Sequence, residues 1–126
     1  MPTLTPAPGS TPDAVVASGS WDVPTQMAKL NCTASTDPNL LGYEWRVCSG
    51  PVFSTDNEAV VPGGFIPAGG NREISTLAGL PTGNSTASFR AYVITTTGNE
   101  KGSNTVSIFR PSEVPPPPPS PPPPPP

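Results

Sequence analysis

Two cysteines, two glycosylation sequons and a few carboxylates are the side chains here whose types and spacing could do chemistry. Cys32 and Cys48 stand sixteen positions apart. As a disulfide they would close a short loop and stabilise the fold by ~3 kcal/mol, mainly through the unfolded chain. An isolated pair in a Ser/Thr-rich chain fits an oxidising compartment. The alternative is two buried free thiols. Asn31-Cys32-Thr33 and Asn84-Ser85-Thr86 both match the N-glycosylation acceptor pattern. Asn84 falls in a turn and Asn31 on an outward strand face, so both are sterically available. A bridge at Cys32 would compete with glycan transfer to its neighbour. Asp37, Asn39, Asp56 and Glu58 carry hard oxygen ligands of the kind calcium takes. They are an incomplete set, and turn chemistry accounts for them equally well. No metal and no cofactor is expected. Asp56 and Glu58 could also form the carboxylate pair of a glycosidase, but nothing around them suggests a raised pKa or a cleft. The chain has no histidine, which removes Ser-His-Asp, Cys-His and His-ligated zinc chemistry. A non-catalytic protein is expected.

The elements that hold these residues read as short strands. Residues 26–35 alternate, with Ala28, Leu30, Cys32 and Ala34 on one face and Lys29, Asn31, Thr33 and Ser35 on the other. Thr36-Asp37-Pro38-Asn39 is a turn. Residues 41–47 alternate again: Leu41, Tyr43, Trp45 and Val47 against Gly42, Glu44 and Arg46. Cys48 is out of phase with Trp45 and Val47, so a bridge there requires a bulge or a strand end. Residues 59–70 are irregular, with Pro62-Gly63-Gly64 and Pro67-Ala68-Gly69-Gly70. Residues 72–80 form a strand with Ile74, Thr76, Ala78 and Leu80 on one side. Residues 87–95 are the clearest strand, with Ala87, Phe89, Ala91 and Val93 inward and Ser88, Arg90, Tyr92 and Ile94 outward. Residues 98–102 read as a hairpin loop, and residues 104–110 close the domain with Val106 and Ile108 inward. Weaker strand signals cover residues 14–17 and 21–23. About seven strands separated by turns predict an all-β, immunoglobulin-like β-sandwich. Trp45 is its core aromatic. Tyr92 and Ile94 project from the best strand; either the domain's own termini cover them or they form a contact between subunits.

Composition sets the boundaries. Eleven of the 22 prolines lie in the last twelve positions, broken only by Ser120. A run without backbone N–H groups can be neither helix nor central strand. Residues 115–126 are therefore expected as a polyproline II tail, ~37 Å long at ~3.1 Å per residue. Residues 1–12 hold four prolines and four Ser or Thr and read as linker. Residues 13–114 remain for one domain. Six basic against nine acidic residues leave no electrostatic footprint for nucleic acid. No apolar run is long enough to span a membrane. Met1-Pro2-Thr3-Leu4 shows neither the basic nor the apolar part of a signal peptide, which is compatible with a processed secreted chain or a cytosolic one.

Two resemblances rest on these residues. Leu77-Ala78-Gly79-Leu80-Pro81-Thr82-Gly83, then Phe89-Arg90-Ala91-Tyr92-Val93, then Val106-Ser107-Ile108 are similar to the last three strands of a fibronectin type III or polycystic-kidney-disease (PKD) domain. Asp37-Pro38-Asn39 leading into Tyr43-Glu44-Trp45 resembles the PKD type, although Arg46-Val47-Cys48 replaces the usual glycine–aspartate turn. Together they cover residues 27–109 and imply an extracellular adhesion or spacer module without catalytic activity. The proline tail resembles extensins and green-algal hydroxyproline-rich glycoproteins. That resemblance implies hydroxylation and O-glycosylation at Pro115, Pro116, Pro117, Pro118, Pro119, Pro121, Pro122, Pro123, Pro124, Pro125 and Pro126, and sugar at Ser120.

Three functions follow. The first is a structural glycoprotein of a cell wall, surface or fibre, whose partners are covalent glycans and copies of itself. The second is an adhesion module that binds carbohydrate or protein and uses the prolines as linker. The third is a cytosolic scaffold whose tail docks on profilin or WW-type domains. Sequons, cysteines and sandwich favour the first two and an extracellular location.

Overall fold

The structure, a computed structural model, describes residues 11–112 and 121–125. Eight strands follow in order: β1 Ala17–Asp22, β2 Met27–Cys32, β3 Leu40–Ser49, β4 Ala59–Pro67, β5 Ile74–Thr76, β6 Ser85–Thr95, β7 Glu100–Gly102 and β8 Val106–Arg110. They form two antiparallel sheets, one ordered β1-β2-β5 and the other β4-β3-β6-β7, with β8 also paired to β6. The fold is the expected all-β, immunoglobulin-like sandwich. Most of the tail lies outside the described residues; Pro121, Pro122, Pro123, Pro124 and Pro125 are exposed and in neither helix nor strand.

Alternation builds the core. Ala28, Leu30 and Cys32 of β2 face Tyr43, Trp45 and Val47 of β3 and Ala87, Phe89, Ala91 and Val93 of β6, and all are buried in one cluster. Trp45, Phe89, Leu30 and Leu80 are its largest fully buried members. Trp45 Nε1 is the one buried side-chain polar atom without a partner among the described residues. Gly79 must be glycine: its φ is +73°, and a Cβ there would lie 2.7 Å from Val47 Cγ2 and 2.9 Å from the Cβ of Ala87.

Several local expectations are corrected. The β2 strand ends at Cys32, because Thr33 turns to pair with Val16 through backbone and hydroxyl, and Ala34 is exposed. A register shift between Leu40 and Gly42 rotates Leu41 outward, so Leu40 meets the core instead. Residues 59–67, read as irregular, form the edge strand β4. Its ladder with β3 jumps from Arg46↔Val60 to Glu44↔Phe65, and Pro62-Gly63-Gly64 occupies the jump. Proline is tolerated there because the strand lies on an edge. The weak signals near residues 14–17 and 21–23 belong to one strand, β1. Glu100–Gly102, taken for loop, is β7. With β8 it shares one edge of β6: Tyr92↔Gly102 above and Phe89↔Val106 below.

Between β7 and β8 the chain leaves the ladder, and Asn104 uses the break to tie the two sheets together. Its Oδ1 accepts from the Ala17 N–H at 2.8 Å and its Nδ2 donates to the Ala17 carbonyl at 2.9 Å. A side-chain amide thus supplies what a neighbouring strand would. We expect Phe89→Ala to lose ~3–5 kcal/mol of stability through the cavity it leaves, and Asn104→Ala ~1–2 kcal/mol. Arg90→Ala should cost less than either. Denaturant unfolding of the three variants checks the order.

Candidate functional site

The outer face of the five-stranded sheet carries the densest polar chemistry of the described residues. Alternation in β3 turns Glu44, Arg46 and Cys48 outward, and in β6 Ser88, Arg90, Tyr92 and Ile94. The pairing sets Arg46 beside Arg90, and Glu44 beside Tyr92. Residues 50–58, between β3 and β4, fold back across this face.

Arg46 is the hub. Its guanidinium donates to Glu44 Oε1 at 2.8 Å, to Glu58 Oε1 at 2.8 Å and to both carboxylate oxygens of Glu100, and only 11% of its side chain is exposed. It also lies over the Tyr92 ring, 3.9 Å from the centroid. β3, the 50–58 segment that follows it and the sequence-distant β7 are thereby joined on one cation. The Tyr92 hydroxyl donates to Glu58 Oε2 at 3.0 Å. Arg90 stacks on Phe53 at 4.7 Å and donates to Thr105 Oγ1. Phe53 and Tyr92 have ring centroids 6.4 Å apart. Two adjacent aromatic rings are thus flanked by an arginine on each side. Burial disfavours the charge on Arg46, but its hydrogen bonds to Glu100 and Glu44 outweigh that and hold it protonated. Arg46 holds the Glu100 carboxyl below the usual carboxylate value. Burial, then donation to Glu58, pushes the Tyr92 phenol up.

The hub is satisfied internally, with every arm of the Arg46 guanidinium taken by a carboxylate. The carboxylates surround a guanidinium, and no group of three His, Cys, Asp or Glu among the described residues is placed to hold a metal ion. The oxygens weighed for calcium stay apart. Asp37 Oδ1 accepts from the Asn39 N–H in a local turn, Asp56 lies in an exposed turn with its N–H on Ser54 Oγ, and Glu58 belongs to Arg46.

The disulfide is corrected. Cys32 and Cys48 are both buried and both free. Strand phase is the reason. Cys32 points into the core between the sheets, whereas Cys48, one residue beyond Val47, points to the opposite face. There its Sγ donates to the Ser54 carbonyl at 3.2 Å and lies 3.4 Å from the Ser54 N. Burial pushes the Cys32 thiol up to about 11, so it stays protonated.

Tyr92 lies on the outward face, as expected, but the domain's own residues close over it: Arg46, Phe53 and Glu58 leave it 6% exposed. It therefore offers no surface to another subunit. Ile94, paired with Gly42 and Glu100, is half-buried. Both sequon asparagines are exposed. Asn84 has φ +63° in the turn before β6, and its N–H bonds the Arg110 carbonyl. The modification sites at residues 115–120 and 126 lie outside the described residues.

The Arg46 hub is invisible to local sequence reading. Glu58 and Glu100 lie 12 and 54 positions from it. The available signal was an arginine on the outward face of the central strand, which needs a counter-charge.

Three outcomes follow. Replacing Arg46 by leucine leaves three carboxylates facing one another and should cost ~1–3 kcal/mol in denaturant unfolding. Glu100 contributes stability in full above the ordinary glutamate pKa, and this is lost as pH falls through its lowered folded value. Acid titration of Glu100→Gln should therefore show a flatter loss of stability than the wild type. In denaturant without reductant, both thiols should alkylate completely; a linked Cys32–Cys48 peptide would contradict the fold.

No protein-family model and no curated protein matches the chain. Among solved structures it is similar to an Fn3-like protein from Clostridium thermocellum, with a TM-score of 0.60 and 13% sequence identity over 83% of this chain and 99% of that one. The likeness shows the fold: a fibronectin-III-like, immunoglobulin-like β-sandwich.

Proposed function

We propose that the chain is a non-catalytic spacer module of an extracellular structural glycoprotein, a folded bead set in line between proline-rich struts. One observation carries this reading. The first and last strands run side by side in the same direction: Ala17 meets Asn104, Gly19 approaches Val106, and Arg110 lies over the Trp21 ring. The chain therefore enters at one end of the sandwich and leaves at the other. The two points where the chain joins the sandwich thus lie at opposite ends of it, the geometry of a link in a string rather than of a domain hung on one stalk.

Other features agree. The polar face is closed and its hydrogen-bonding groups pair with one another, which suits a module without substrate. Asn31 and Asn84 are exposed, so both sequons can carry sugar. Unpaired cysteines follow from strand phase and carry no information about compartment. An uninterrupted proline run loses little backbone entropy when held straight, and hydroxyl and sugar groups would add the donors it lacks. Copies of the chain are the expected partners in a fibre.

Intact and peptide mass of native material tests the reading. The C-terminal peptide should carry single-oxygen and pentose increments, and the Asn84 peptide an N-glycan. Unmodified masses throughout, in a protein purified from cytosol, would overturn it in favour of a scaffold whose prolines dock on aromatic grooves. Small-angle scattering should give a maximum dimension well beyond that of the sandwich alone, since a polyproline run resists folding back.

A further inference from the structure

The outer face of a sandwich sheet ordinarily meets water, yet here three of its residues are closed off. Cys48 is 4%, Ser88 0% and Tyr92 6% exposed. Residues 50–58 are what lies against all three. Ser88 Oγ donates to the Gly50 carbonyl at 2.6 Å. Ser54 brackets the Cys48 sulfur with its N–H and carbonyl. Phe53 and Glu58 meet Tyr92.

The segment itself is lightly held. It forms no strand. Pro51, Val52, Thr55, Asp56 and Asn57 are exposed, and Phe53 is its single large apolar anchor, half-buried. Beyond side-chain contacts its backbone reaches the sheet through Gly50 N–H to the Thr86 carbonyl and through the Pro51 carbonyl, which accepts from Ser107 Oγ. Both ends are tethered, to β3 and β4. Segments with few buried apolar contacts open at a lower free energy than the core.

We propose that residues 50–58 are a strap that lifts off the sheet as a unit while both sheets stay folded, and that Glu58 on Arg46 and Tyr92 is its latch. When the strap is shut, Glu58 accepts from both partners at once. When it lifts, Arg46 keeps Glu44 and Glu100, so the hub survives and the sheet does not lose its counter-charges. The strap can thus open without leaving a bare cation. Opening uncovers the Tyr92 ring, the Phe53 side chain and the Cys48 thiol in the middle of the face. The module thereby has a second surface, aromatic and thiol-bearing, that its closed form hides.

The two free thiols supply the test, because one lies under the strap and the other in the core. Label the native full chain with dithiodipyridine and follow each cysteine by peptide mapping. Express each rate as protection relative to the same thiol in the urea-unfolded chain, which removes differences in intrinsic reactivity. Cys48 should be protected at least roughly 10-fold less than Cys32. Glu58→Gln should accelerate Cys48 labelling by roughly 3–10-fold, the size expected for one half-exposed charged contact, and leave Cys32 unchanged. Phe53→Ala should do the same. Equal protection of the two thiols would mean that Cys48 is reached only by global unfolding and would overturn the strap. Faster labelling of Cys48 that is insensitive to Glu58→Gln would overturn the latch.

Discussion

The phase of the β3–β6 ladder is the constraint on which the rest depends. The two strands pair from Leu40↔Thr95 to Ser49↔Ala87, longer than any other pair. Trp45 and Ala91 look inward together, and Arg46 and Arg90 outward. A slip of one residue in either strand would turn its core residues to solvent and its charges to the core. Everything at the outer face inherits this register: the arginines stand side by side, each finds an aromatic ring, and the glutamates gather on the more enclosed guanidinium. The same phase separates the cysteines. No relaxation of a loop can join a thiol between the sheets to one on the far side of a sheet.

Without that bridge, polar side chains do the joining. Asn104 links the two sheets at one end through the backbone of Ala17. Arg110 donates to the Leu80 carbonyl and Arg72 to the Cys32 carbonyl, so each connection satisfies a backbone group that a loop would otherwise leave to water. The junctions depend on directional hydrogen bonds, while the non-directional term is confined to the compact cluster around Trp45 and Phe89.

Legibility followed how local the determinant was. Residues 87–95 alternate with no glycine or proline, and their phase was readable outright; the same holds for Ala28, Leu30 and Cys32. Residues 59–67 were hidden because Pro62-Gly63-Gly64 looks like a breaker, whereas the edge position and the jump in the ladder absorb it. Glu100-Lys101-Gly102 is too short and polar to show a period; its place in the sheet comes from Tyr92, whose ring lies within 3.0 Å of where a Gly102 Cβ would stand. The out-of-phase position of Cys48 was visible in the sequence and was decisive: it argued against the bridge more strongly than composition argued for it. The hub needed three-dimensional information, since its carboxylates come from separate elements.

A pole-to-pole path also has a mechanical consequence. A load applied through the two proline-rich flanks would pull β1 and β8 in opposite senses along their own axes. The β1–β2 and β6–β8 ladders would then be loaded in shear, with all their hydrogen bonds sharing the force, instead of being unzipped one at a time. Both strands are antiparallel to central neighbours, with Ala17↔Cys32 through Asp22↔Met27 on one side and Ser85↔Arg110 through Phe89↔Val106 on the other. The Asn104–Ala17 contact ties the start of β1 to the segment that leads into β8, so it resists their sliding past one another. The strap lies off this line, on the outer face between β3 and β4. Its opening would change what the module presents to its surroundings without slackening the path that carries the load.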